Sequence, residues 1–189
     1  MSMKRNGASL ALAIVLFGCA PTPTPDTAIM PLTGAGTPQM SDTGAIGLAS
    51  YVLGSPSRYD GHPADAARAL AAVDYLAGAL YANPHWVGIP AESKLRMLQA
   101  RTEVRRVLDV PPGTPSQKVV DGLMAAANAL AGDDTAAARA ALPSSVFGLG
   151  PDRTIALLNN LPPLPAADAA AQYLNYDTMT NCSFTANCG

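Results

Sequence analysis

From Thr43 onward, helix-breaking residues fall at helix-length intervals, and the apolar positions between them repeat with a period near 3.6 rather than 2. The first segment, Thr43 to Leu53, is a weak helix: Ile46, Leu48, Val52 and Leu53 share it with Gly44 and Gly47. The second runs from Pro63 to Ala82. Its proline suits a first turn, where a missing N–H is no loss. Ala66, Ala69, Leu70, Val73, Leu76, Ala77 and Leu80 form its stripe before Asn83-Pro84 stops it. The third, from Pro90 to Leu108, aligns Met97, Ala100, Val104, Val107 and Leu108, and Glu92 and Arg96 form an i, i+4 pair on it. Pro111-Pro112-Gly113 ends it.

Thr114-Pro115-Ser116-Gln117 reads as a capping box that opens a fourth helix, with Val119, Val120, Leu123, Ala127 and Leu130 inward. Asp133 or Asp134 caps a short fifth helix through Leu142. Asp152 to Leu161 is a further amphipathic segment, and Ala166 to Leu174 an alanine-rich turn. No alternating β-branched run or hairpin turn joining apolar segments occurs. The expectation is an all-α domain over residues 45–174, a small bundle of about five to six helices. A polar tail, 175–189, follows it. Aromatics are only 5% of the chain, so aliphatic residues and alanine must build the core.

Ahead of the bundle the pattern changes twice. Residues 20–44 carry Pro21, Pro23, Pro25, Pro31 and Pro38 and no helical period, which predicts a disordered, extended tether. Before it, Lys4 and Arg5 precede a largely apolar stretch of ten, Ala8 to Phe17, and the segment ends Leu16-Phe17-Gly18-Cys19. Ten residues are too few to cross a bilayer, which takes about 20. This segment has the composition of an export signal.

Leu16, Gly18 and Cys19 resemble the lipobox of bacterial lipoproteins; Phe17 departs from that pattern, which usually has a small or β-branched residue there. The resemblance covers the first 20 residues only. It implies removal of residues 1–18, acylation of Cys19, and a mature protein held on a lipid bilayer in the cell envelope, with residues 19–44 as lipidated cysteine and tether. Ala20, rather than Asp, follows the cysteine. By analogy with enteric lipoproteins this implies an outer-membrane address facing the periplasm.

Charge and cysteines fit that picture. The formal net charge is −2, and the segment 1–18 holds Lys4, Arg5 and no acid, so the remainder stands at −4. A mildly acidic chain is a poor nucleic-acid binder, since phosphate neutralisation needs a basic surface, which argues against nucleic acid as a partner. Of the three cysteines, Cys19 would carry lipid, leaving Cys182 and Cys188 to pair in an oxidising compartment.

Candidate chemistry is sparse. The two histidines are His62 and His85. Asp60, His62 and Asp65 surround a helix start and read as turn and cap residues rather than a metal site. Ser144-Ser145 reads as a loop, and no nucleophile elbow, Walker loop or dinucleotide fingerprint occurs. The sequence therefore assigns no catalytic residue, metal ligand or cofactor. Lys94, Arg96, Arg101, Arg105 and Arg106 read as a solvated basic face. Trp86, the single tryptophan, with His85 beside it, is either a plug at one bundle end or an exposed partner anchor. The leading expectation is a non-enzymatic envelope lipoprotein that binds an unknown envelope protein or supports an assembly. A bundle that binds a lipid or small ligand, and an enzyme with an unrecognised site, are the alternatives.

Overall fold

The computed structural model describes residues 25–31 and 40–184, with side chains to residue 180. Residues 1–18, Cys19 and Cys188 lie outside these, so the expected signal segment, the expected lipidation of Cys19 and the expected Cys182–Cys188 pairing all fall beyond the described residues.

The described chain is all-α. Its helices are α1 (Asp42–Leu53), α2 (Pro63–Ala82), α3 (Ala91–Val107), α4 (Ser116–Ala131), α5 (Thr135–Ala141), α6 (Pro151–Asn159) and α7 (Pro165–Phe184). α2 is the central helix and packs against α1, α3, α4 and α6. Its sequence explains why: Ala67, Ala71, Ala72 and Ala79 join the Leu70–Leu76–Leu80 stripe, so α2 is apolar nearly all round and is buried on every side. Alanine at these positions lets neighbouring helices approach closely, so the core is tight rather than bulky. Leu70, Leu76, Met97, Leu123, Met124 and Phe147 fill it. α7 packs across α1 and α3, and α5 joins α4 to α6.

Three expectations are corrected. First, the tether is not detached from the domain along its whole length. Residues 25–31 lie along α2 and α4, and Met30 is 1% exposed, inside the core. Second, Thr114 and Gln117 form no capping box. α4 starts at Ser116 with Pro115 ahead of it, and the Thr114 hydroxyl donates to the Pro111 carbonyl at 2.7 Å. The Gln117 amide instead makes two bonds to Ile29, accepting from its N–H at 2.7 Å and donating to its carbonyl at 2.9 Å. Two bonds to otherwise unpaired backbone outweigh one cap bond.

Third, the helix expected to stop at Leu174 continues to Phe184, and Cys182 falls on its last turns. The polar residues there are compatible with a helix because they find local and tertiary partners. Thr178 and Thr180 donate back to the carbonyls of Leu174 and Tyr176. Ser93 of α3 donates to the Asp177 carboxylate, which ties the extension to the bundle.

Candidate functional site

Four exposed residues stand out on the surface made by α1 and α7: Tyr51 at 63%, Tyr173 at 51%, Tyr176 at 66% and Met179 at 63%. Tyrosine and methionine at these levels are apolar area that folding has left in water. They border two adjoining concavities.

The larger is a groove of about 520 Å³ between α1 and α7. Gly47, Ser50 and Tyr51 of α1 and its C-cap Gly54 line one side, Asp168, Gln172, Asn175 and Met179 of α7 the other, and Arg58 borders it as well. The α7 residues recur at i, i+4, i+7 and i+11, one stripe on the helix. Gly47 leaves the α1 side bare. Gly54 has a stricter role, since a Cβ there would meet Gln172 Nε2 at 2.6 Å. That space lets the Gln172 amide reach the Ser50 carbonyl at 2.7 Å while it also donates to Asp168 at 3.3 Å. The floor of the groove is therefore a fixed row of amide and carboxylate groups.

The second concavity, about 360 Å³, is lined by Ala169, Gln172, Tyr173 and Tyr176 on the neighbouring stripe of α7. Cations brace two of the tyrosines. The Arg58 guanidinium lies 4.2 Å from the Tyr51 ring centroid and donates to the Tyr51 carbonyl at 2.5 Å. Arg96 lies 4.4 Å from Tyr173, held from its other side by Glu92 at 2.6 Å. Each ring is thereby pre-positioned, with its outer face open. At Tyr59, next to Arg58 in the chain, burial together with the charges of Asp168 and Asp60 raises the pKa.

A second polar cluster lies inside the protein. Asp74 of α2 has no exposed side-chain surface, and Arg105 grips it with Nε–Oδ2 at 2.6 Å and Nη2–Oδ1 at 2.9 Å. Arg105 also donates to the Thr114 carbonyl and the Ser116 hydroxyl. Arg101 donates to the Asp74 backbone carbonyl at 2.6 Å. Burial lowers the Arg101 pKa despite Asp74, helped by the like charge of Arg105. At Arg105 burial opposes the charge, but the hydrogen bond and charge of Asp74 outweigh it and the pKa is raised. These bonds tie Asp74 of α2 to Arg101 and Arg105 of α3 and to Ser116 of α4, so the cluster is a structural clamp joining the three helices. The expected solvated basic face on α3 is corrected accordingly: two of its arginines point inward because one buried carboxylate requires them.

Trp86 is likewise corrected as an exposed anchor. It is 4% exposed, and its indole N–H donates to Asp42 at 2.7 Å. His85 is exposed, with its ring edge-on to Trp86 at 4.7 Å. Asp65 pairs with Arg68 at 3.1 Å, and His62 precedes α2 with its side chain in solvent. Among the described residues no group of three or more His, Cys, Asp or Glu side chains gathers as metal ligands would. No buried side-chain polar atom among them lacks a partner.

Sequence reasoning missed the tyrosine groove. The available signal was Tyr173-x-x-Tyr176 placed off any apolar stripe, where a helix should show polar residues. Comparison with known proteins finds no family model, no curated protein and no solved structure that matches this chain.

Proposed function

We propose that this chain is an envelope lipoprotein, anchored through an acylated Cys19, whose helical domain binds a segment of another envelope protein in the groove between α1 and α7. The observation that carries the reading is the braced tyrosine surface. Tyr51 and Tyr173 offer large amphipathic area at low entropic cost because their cationic neighbours already hold them, and Tyr176 adds exposed area one turn from Tyr173. Tyrosine and methionine are enriched in protein interfaces, and arginine beside them is too.

The lining favours a partner of mixed apolar and polar chemistry. An apolar side chain fits the concavity at Tyr173 and Tyr176. The row Asp168, Gln172 and Asn175 asks for donors and acceptors alongside it. An amphipathic peptide segment supplies both. The α2–α3–α4 interior is filled by Leu70, Val73, Leu76, Met97, Val119 and Leu123, all buried, which favours surface recognition over an interior ligand.

The test is photocrosslinking in the native envelope, with a benzophenone amino acid at Tyr176, at Tyr51 or at the exposed Arg139 on α5. The expected result is one common protein captured from positions 176 and 51, absent from 139, and lost when Tyr173→Ala is added. Equal capture from all three positions, or capture that Tyr173→Ala leaves intact, overturns the groove as the binding site. The anchor is tested separately by radioactive palmitate, which should label the chain and not its Cys19→Ala variant.

A further inference from the structure

Residues 25–31 are fastened to the domain at several points. The Ser116 N–H donates to the Asp26 carboxylate at 2.5 Å. Gln117 makes its paired bonds to Ile29, and Met30 enters the core. The absence of a side chain at Gly78 is what lets the strap lie down. A Cβ there would collide with the Asp26 carbonyl oxygen and would come within 2.9 Å of the Thr27 Cα. The strap thus meets α2 at Gly78, and Pro25, Asp26 and Thr27 border a hollow with Tyr81 and Ala82 at the C-terminal end of α2.

The chain between Cys19 and the strap is consequently short. Six residue steps separate Cys19 from Pro25. Fully extended, they span about 20 Å, less than the ~30 Å length of α2 itself. The end of the bundle where α2 finishes is therefore the end that an acylated Cys19 holds near the headgroups. The surface there suits an interface. Val87, in the turn Pro84–Gly88 that follows α2, is 84% exposed, and Tyr81 is 41% exposed with the Lys94 ammonium 5.9 Å from its ring centroid. The nearby Glu92 is paired with Arg96. An exposed aliphatic residue, a tyrosine and a lysine are the residue types that sit at the membrane–water boundary.

We infer that this end of the domain, centred on Tyr81, Val87 and Lys94, rests on the lipid surface. The inference depends on the acylation of Cys19 proposed above. It also orients the molecule. The N terminus of α1 bonds to Tyr75, Asn83 and Trp86 near the end of α2, so α1 runs antiparallel to α2, and its last residues sit at the far end. The end of the groove bordered by Gly54 and Arg58 then lies away from the bilayer, toward soluble or opposing-membrane partners.

Trp86 provides an intrinsic probe, being the single tryptophan and adjacent to Val87. The acylated full chain is reconstituted in vesicles of phosphatidylethanolamine and phosphatidylglycerol with brominated acyl chains, after intact mass has established the lipid on Cys19. Trp86 fluorescence should be quenched. In a Trp86→Phe chain with Ser57→Trp at the far end, quenching should be lost. Val87→Asp combined with a long glycine–serine insertion after Pro23 should release Trp86 from quenching. An acylated chain in which both tryptophan positions are quenched alike, or neither is, overturns this inference and leaves the anchor standing. An unmodified Cys19 thiol overturns both.

Discussion

Arg105 holds Asp74 through two parallel hydrogen bonds in an interior where the carboxylate has no exposed surface. The pair does more than neutralise charge. Arg105 extends the contact to the Thr114 carbonyl and the Ser116 hydroxyl, at the start of α4, while Asp26 accepts from the Ser116 N–H on the other side. One buried carboxylate thus fixes the register of α3, the entry to α4 and, through Ser116, the strap. Removing one member of a buried ion pair leaves the remaining charge uncompensated, which costs about 3–5 kcal/mol. Asp74→Asn retains the shape and removes the charge that both arginines face. It is expected to lower stability by roughly 3 kcal/mol, read as a fall in the urea midpoint with an unchanged slope. An unaltered midpoint would mean that the clamp contributes nothing.

The strap predicts a different signature. Met30→Ala removes a fully buried side chain, a change that typically costs about 2–5 kcal/mol. Gly78→Ala acts on the same contact from the α2 side, because its methyl meets backbone atoms of Asp26 and Thr27, which cannot rotate away. Both variants should make the chain cleavable by protease between residues 25 and 31 while the bundle remains resistant. If the strap were an incidental contact, neither substitution would change the digestion pattern.

Gly122 gives an independent check on core packing. A Cβ there would lie 2.7 Å from a Phe147 ring carbon and 3.0 Å from the Ala141 carbonyl oxygen. Phe147 has no exposed surface, so it has little room to yield. Gly122→Ala gains helix propensity of about 1 kcal/mol and should still destabilise, since overpacking costs about 1–3 kcal/mol. A variant that melts higher than the parent would show that the ring can move.

The helices were legible because prolines and glycines punctuate this chain at their ends, and Asp134 caps α5 as its position implies. The strap was not legible. Met30 is a single buried side chain among prolines, and one apolar residue has no period. The extension of α7 was hidden for the opposite reason: its threonines and Asp177 look like tail residues until their bonds to carbonyls and to Ser93 are seen. Asp74 sat in plain view as a lone acid in an apolar stripe, yet its arginines lie a helix away, and only packing pairs them. The groove depends on Ser50 and Gln172 meeting across 122 positions, a contact no local pattern encodes.

Tyr75 offers a test in pH. Its hydroxyl donates to the Asp42 carboxylate, which also accepts from Asn83 and Trp86. Burial, then the hydrogen bond and negative charge of Asp42, raise the phenol's pKa above its ordinary 10.0. The folded protein therefore keeps a proton that the unfolded chain gives up from about pH 10. Stability from this site is complete below pH 10 and is lost as pH rises toward the raised folded value. The same sign holds for Tyr59 and Tyr81, whose pKa values burial also raises. Tyr75→Phe should cost about 1–2 kcal/mol at neutral pH, where the bond to a charged acceptor is lost. It should also flatten the fall in stability above pH 10. Urea titrations of both proteins between pH 7 and 11 measure the two effects together. An alkaline slope unchanged by the substitution would place the responsible proton elsewhere.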